Sequence, residues 1–190
     1  MNLNKQFLKK AGINFLAVNK KIYFMGDVKN LSNNEATEKI KELAEEIDTC
    51  MFCTYKDGNL ISRPMSTQKA DEEGNLWFLS DKDSDKNKEI ALNNNVELLY
   101  GQGHDKYLAL HGKASISTNK EKIKELWQPI AKVWFTEGVD DPRISVIKVS
   151  YDDGYYWDSK HGKMVQMAKM AAAFVSGKTM DDGIEGKLSK

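Results

Sequence analysis

The sequence predicts an α+β domain, mainly β, in which short antiparallel strands curl into a closed or partly closed barrel with a few helices around it. Short β-rich runs follow one another with turn signals between them, and the helical periods that interrupt them are few and scattered. The chain has 190 residues, close to the size that one hydrophobic core covers without dividing.

Asn33-Asn34 precede Glu35-Ala36-Thr37-Glu38, and Ile40, Leu43, Ala44 and Ile47 then recur at helical spacing, which predicts a capped amphipathic helix over about 34–47. Thr49 to Tyr55 and Asn59 to Gln68 are β-rich and are joined through Lys56-Asp57-Gly58, where Asp-Gly signals a hairpin. A turn over Asp71 to Asn75 leads into Leu76-Trp77-Phe78-Leu79-Ser80, so three strands form a meander. Asp83 or Ser84 can cap a helix reaching about Asn93. Val96 to Gly101 and Tyr107 to Ser117 read as a strand pair turning at Gly103-His104-Asp105. Leu126, Trp127, Ile130, Val133 and Trp134 form a helical stripe interrupted at Pro129, and the spacing of a buried stripe assigns the Trp127, Trp134 and Phe135 cluster to packing. Ile144 to Val149 and Tyr155 to Trp157 add strand, and Met164 to Val175 a Met- and Ala-rich amphipathic helix. Ser176 to Lys190 is polar and is expected to be loose.

Lys and Arg total 28 and Asp and Glu total 28, so no net field draws in nucleic acid or an anionic membrane. Two cysteines without further pairs fit a reducing compartment, and the cytoplasm is the expected location. Met1 to Val18 places three lysines before a short apolar run that contains Asn14 and lacks a small-residue cleavage site, and is read as a non-targeting extension. No stretch approaches the roughly 20 apolar residues that span a bilayer.

Cys50 and Cys53 form a C-x-x-C, but three positions apart on a strand they face opposite ways, so a buried strand is expected and no metal site. Only two cations are arginine, Arg63 and Arg143. A guanidinium offers a planar fork of donors matched to phosphate or carboxylate. Arg63 lies beside Pro64, which removes a ladder donor and confines that stretch to an edge or an opening, so it can turn toward a ligand phosphate or form an ordinary ion pair. Ser80 and the run Asp81 to Lys86 join a strand to a helix start, where free N–H groups, a hydroxyl and an ammonium can hold a phosphate; a plain helix cap facing water is the alternative. Tyr155 and Trp157 share one strand face, with Tyr156 on the other, so an aromatic face could meet a planar ring or simply pack. No catalytic triad, nucleotide-binding Gly-rich loop or carboxylate pair stands out, and no catalytic residue is assigned.

Together, Arg63-Pro64-Met65, Leu76-Trp77-Phe78-Leu79-Ser80, Ser84-x-Lys86, Leu126-Trp127, Trp134-Phe135, Asp140-Asp141-Pro142 and Tyr156-Trp157 resemble the general stress protein family of the pyridoxamine 5'-phosphate oxidase-like FMN-binding split barrels, from about Glu35 to Gly177. The resemblance implies a six-stranded antiparallel split β-barrel with flanking helices, a homodimer, and two FMN sites between the subunits. Position by position, it gives Arg63, Ser84 and Lys86 to the phosphate and Ser80 to the ribityl chain. Met65, Ser66 and Gln68 would run along the isoalloxazine, largely with backbone groups, and Trp157 would approach the ring from the later part of the barrel. It divides the chain into an N-terminal extension over 1–30, an FMN-binding domain over 31–177 and a polar flexible tail over 178–190. The function implied is that of an FMN-binding flavoprotein of the general stress type, with FMN-dependent oxidoreductase activity left open. A true pyridoxamine 5'-phosphate oxidase is one alternative, but its further basic residues include an Arg shortly after the late-strand Trp, where this chain has Lys160, His161 and Lys163. The residue before Lys86, basic in those oxidases, is Asp85 here. A split barrel that binds haem or another flavin is the second alternative.

Overall fold

The computed structural model describes residues 27–159 and 182–190. The expected helix over Met164 to Val175 and most of the N-terminal extension lie outside the described residues. The elements are β1 (Asp27–Val28), β2 (Leu31–Ser32), α1 (Asn33–Ile47), β3 (Thr49–Lys56), β4 (Asn59–Ser66), β5 (Lys69–Ala70), β6 (Leu76–Asp81), α2 (Asp85–Leu92), β7 (Asn95–Gln102), β8 (Lys106–Ser117), α3 (Lys120–Leu126), β9 (Ile144–Ser159) and β10 (Gly183–Ser189), with short 3-10 turns at Pro129–Val133 and Gly138–Asp140.

The mainly-β class holds, and the six long strands β3, β4 and β6 to β9 make the antiparallel barrel. Asp57 and Gly58 both have positive φ, 51° and 77°, as the tight β3–β4 hairpin turn demands. β4 pairs with β3 along its length. The Thr67 amide then bonds Asp48 O at 2.8 Å, and the next amide, Gln68, bonds Trp77 O at 2.7 Å. One strand thus changes partner from β3 to β6, and β6 returns through β9, β8 and β7 to β3. The sheet curls on itself, but β4 and β6 part beyond the short β5 ladder, which leaves a split.

Phe52 and Phe78 meet edge to face inside the barrel, 5.2 Å between centroids. α1 closes one end with Ala36, Ile40, Leu43 and Ala44, all fully buried. Burying Ile40 and Leu43 contributes about 1.5–3 kcal/mol each. A smaller core of Ile123, Leu126, Phe135, Ile144 and Val146 fastens α3 and the 3-10 segment to β6 and β9.

Two expectations need correction. The stripe from Leu126 to Trp134 is not one packed helix: α3 ends at Leu126, and Pro129, which disfavours helical backbone at Gln128, restarts the chain as a 3-10 turn. Leu126 is buried, whereas Ile130, Val133 and Trp134 are exposed. The tail expected over 178–190 is not loose where it is described. Gly183–Ser189 is β10, antiparallel to β9 and parallel to β1 and β2, with Leu188 in the core. The first strand likewise begins at Asp27, ahead of the expected domain start at residue 31.

Candidate functional site

A cleft of about 700 Å³ occupies the split. Its first wall is the free edge of β4, with Pro64, Met65 and Ser66, continued by Gln68. Because β4 pairs on one side only, its other backbone groups are left to face the cleft, and Pro64 fits such an edge. The second wall is the end of β6 and the first turn of α2, with Ser80, Asp81 and Lys86. The third is the 3-10 segment and the two residues that follow it, with Ile130, Trp134 and Phe135.

The start of α2 is held by a buried polar ring. Ser80 Oγ donates to Asn87 Oδ1 (2.8 Å), Asn87 Nδ2 donates to Ser145 Oγ (2.9 Å), and Ser145 Oγ donates to Ser80 O (3.0 Å). All three residues are buried. Such a ring fixes orientation because leaving any member unpaired costs more than the bond returns. Ser84 stands at the N-cap position of α2 without bonding its amides, 3.4 Å from Ser80 Oγ, and its Oγ accepts from Lys86 Nζ at 3.2 Å. The Asp85 and Lys86 amides, at the first two helical positions, have no acceptor within the helix.

Among the described residues Lys86 forms no ion pair. Burial, and after it the Arg63 guanidinium, holds its ammonium below the usual lysine range, against a smaller upward pull from Asp81 and Glu89. Arg63 itself is engaged: Nη2 donates to Glu89 Oε2 (2.7 Å) and Nη1 to Thr54 Oγ1 (2.6 Å), while Thr54 Oγ1 donates to the same carboxylate (2.5 Å). Burial pushes the Glu89 carboxyl up, but the hydrogen bonds from Thr54 and Arg63 outweigh it and leave the group below its ordinary value.

Residues 35–181 match the family described as pyridoxamine 5'-phosphate oxidase like. The chain belongs to the pyridoxamine 5'-phosphate oxidase-like family. It is 25% identical over 156 residues to the protein bli-3 of Neurospora crassa, covering 74% of this chain and 75% of that one. Among crystal structures it is similar to a general stress protein 26 candidate from Jannaschia sp. CCS1, at 25% identity, TM-score 0.69, and coverage of 82% and 98% of the two chains. A general stress FMN/FAD binding protein from Xanthomonas citri shares the fold at 23% identity and TM-score 0.58, with coverage of 68% and 93%. The family match places the split barrel at the centre of this chain and leaves β1, β2 and β10 outside it.

Of the residues singled out in the sequence for this family's cofactor, Met65, Ser66, Gln68, Ser80 and Lys86 line the cleft. Ser84 stands directly behind Ser80 and Lys86. Arg63 is not in the lining and reaches the site through its field on Lys86. Trp157 does not line it either: tilted against Tyr155 at 4.7 Å, it borders a separate apolar recess of about 450 Å³ with Leu99 and Tyr107. Tyr156 faces inward, buried, and its hydroxyl donates to Lys29 O at 2.8 Å. Asn87, Glu89 and Ser145 were not singled out in the sequence, although two polar residues on the inward face of α2, beside Ile90, were a signal. Spacing alone assigns Trp134 to packing, but the side chain stands in the cleft.

Cys50 and Cys53 are buried in β3, and burial pushes the Cys50 thiol up to about 12. Among the described residues no three His, Cys, Asp or Glu are placed to hold a metal ion, and no helix is long and apolar enough to cross a membrane.

Proposed function

We propose that this protein binds FMN in the cleft and works as a homodimeric flavoprotein of the general stress type. The observation that carries the reading is Lys86, a half-buried ammonium with no carboxylate bound to it, in one cleft with exposed aromatic surface and a free strand edge. A cation in that state is suited to a ligand's anion, and the Ser84 hydroxyl, the first amides of α2 and the helix dipole add to it. The donor set therefore fits a flavin nucleotide. Lys86 and Ser84 would hold the phosphate, and Met65, Ser66 and Gln68 would meet the ring. Ser80, whose hydroxyl proton is already given to Asn87, would accept from the ribityl chain. When bound, a flavin supplies electron or hydride transfer. Flavin binding is named for the Xanthomonas citri protein of the same fold. Arg143 is tied to Asp141, so with Arg63 on Glu89 no guanidinium is left for a substrate phosphate, which favours flavin binding over pyridoxamine 5'-phosphate oxidation.

The homodimer is supported by Leu99, Tyr107 and Trp157, exposed around the second recess, where Trp157 would serve the site of the other subunit. FMN titration followed by fluorescence quenching tests the site. Lys86→Ala should weaken binding at least tenfold, the loss of a contact worth about 1.5–3 kcal/mol, and unchanged affinity would defeat the proposal. Sedimentation of wild type and Leu99→Asp tests the dimer, which should dissociate in the variant.

A further inference from the structure

The 3-10 segment has two faces. Ala131 and Phe135 are buried in the smaller core, while Ile130, Val133 and Trp134 are 63%, 69% and 64% exposed. Two of those three exposed side chains, Ile130 and Trp134, line the cleft. An indole left open to water forgoes the burial that makes aromatic residues useful in a core.

The segment is also tethered. Asp141, fully buried, accepts from Arg143 N (3.0 Å), Nε (3.1 Å) and Nη2 (2.8 Å). The same Nη2 donates to Trp134 O at 3.3 Å, and the guanidinium lies 6.0 Å from the Phe135 ring centre. Arg143 O accepts from Lys82 N at 2.8 Å. One residue thus joins the backbone that carries Trp134 to the loop between β6 and α2, the wall that carries Lys86. A lysine would keep the two backbone bonds, but its single ammonium lacks the planar fork that reaches Asp141 and Trp134 O together.

We infer that Trp134 is the aromatic wall against which the flavin ring stacks and that Arg143 is the positioning residue that holds it there; this rests on the flavin reading above. Trp134 then acts on the ring and Lys86 on the phosphate. Trp134→Ala should weaken FMN and riboflavin binding by the same factor, about tenfold, whereas Lys86→Ala weakens FMN alone. Trp134→Phe should stay within about threefold of wild type. Arg143→Lys should weaken both ligands, and in the Trp134→Ala background it should add little further, because it acts through Trp134. Trp134 is exposed, so its alanine variant should melt with wild type. The measurement is flavin titration of the full chain, with circular dichroism to confirm folding. Wild-type FMN affinity in Trp134→Ala would overturn the stacking role, and full additivity with Arg143→Lys would overturn the positioning role. A wild type that binds neither flavin would instead overturn the flavin reading, and this inference with it.

Discussion

Arg63→Ala is expected to act on stability first and on flavin affinity only through Glu89. The Glu89 side chain is 7% exposed and that of Arg63 23%. Removing the guanidinium leaves a buried carboxylate with Thr54 Oγ1 as its remaining donor. Breaking one partner of a buried pair costs about 3–5 kcal/mol, and the partial exposure of Arg63 points to the lower end, about 3 kcal/mol. In a chain of this size that lowers Tm by about 6–12 °C. Arg63→Ala/Glu89→Gln removes the stranded charge while keeping an acceptor for Thr54, and should recover more than half of the loss. The affinity follows the same logic, since an uncompensated Glu89 charge would lower the positive potential at Lys86. FMN binding should weaken in the single variant and return in the double one. If Arg63 touched the phosphate directly, the double variant would stay weak. Thermal unfolding by circular dichroism at pH 7, with FMN titration of the same samples, decides it. A single variant melting within about 2 °C of wild type, or a double variant no more stable than the single, would refute the buried-pair reasoning.

Because burial holds Lys86 below the ordinary lysine value of 10.5, FMN affinity should start to fall with rising pH before that value is reached, and Lys86→Ala should flatten that alkaline fall. Hydrogen bonds from Arg143 hold the Asp141 carboxyl at about 2, below its unfolded value, so its contribution to stability is complete above about pH 4 and is lost as pH falls toward 2. Asp141→Asn should make Tm less steep in pH over that window, and an unaltered slope would count against the pair. A Cβ on Gly186 would stand 2.0 Å from Lys29 O, so Gly186→Ala should cost about 1–3 kcal/mol in urea unfolding; an unchanged midpoint would show that β10 is not bound to the N-terminal strands.

The strands that were legible in the sequence are those whose information is local. Asp57-Gly58 specifies its own turn, and the period of Ile40, Leu43 and Ala44 specifies its own helix. β10 offered no such signal: its bonds run through backbone to β9 and to residues far away in the chain, and its apolar positions, Ile184 and Leu188, are too sparse to show a period. The 3-10 segment failed differently. Its stripe is real, but whether a stripe meets a core or a cleft is a tertiary fact that spacing does not hold.

The site shows the same division. The strand-to-helix junction at Ser80 to Lys86 was readable because a cap, a hydroxyl and an ammonium sit within one short run. The partner of Arg63 was not, because Glu89 reaches it only when α2 packs beside β3. Both arginines turn out to hold carboxylates of the chain itself, one behind Lys86 and one behind Trp134. Rigid, multiply bonded guanidinium groups suit the fixing of walls, while a single ammonium with no fixed partner suits an anion that comes and goes. The two arginines thus brace the walls of the cleft, and in the flavin reading proposed above the cation that meets the ligand is a lysine, set apart among the described residues by its burial and by forming no ion pair.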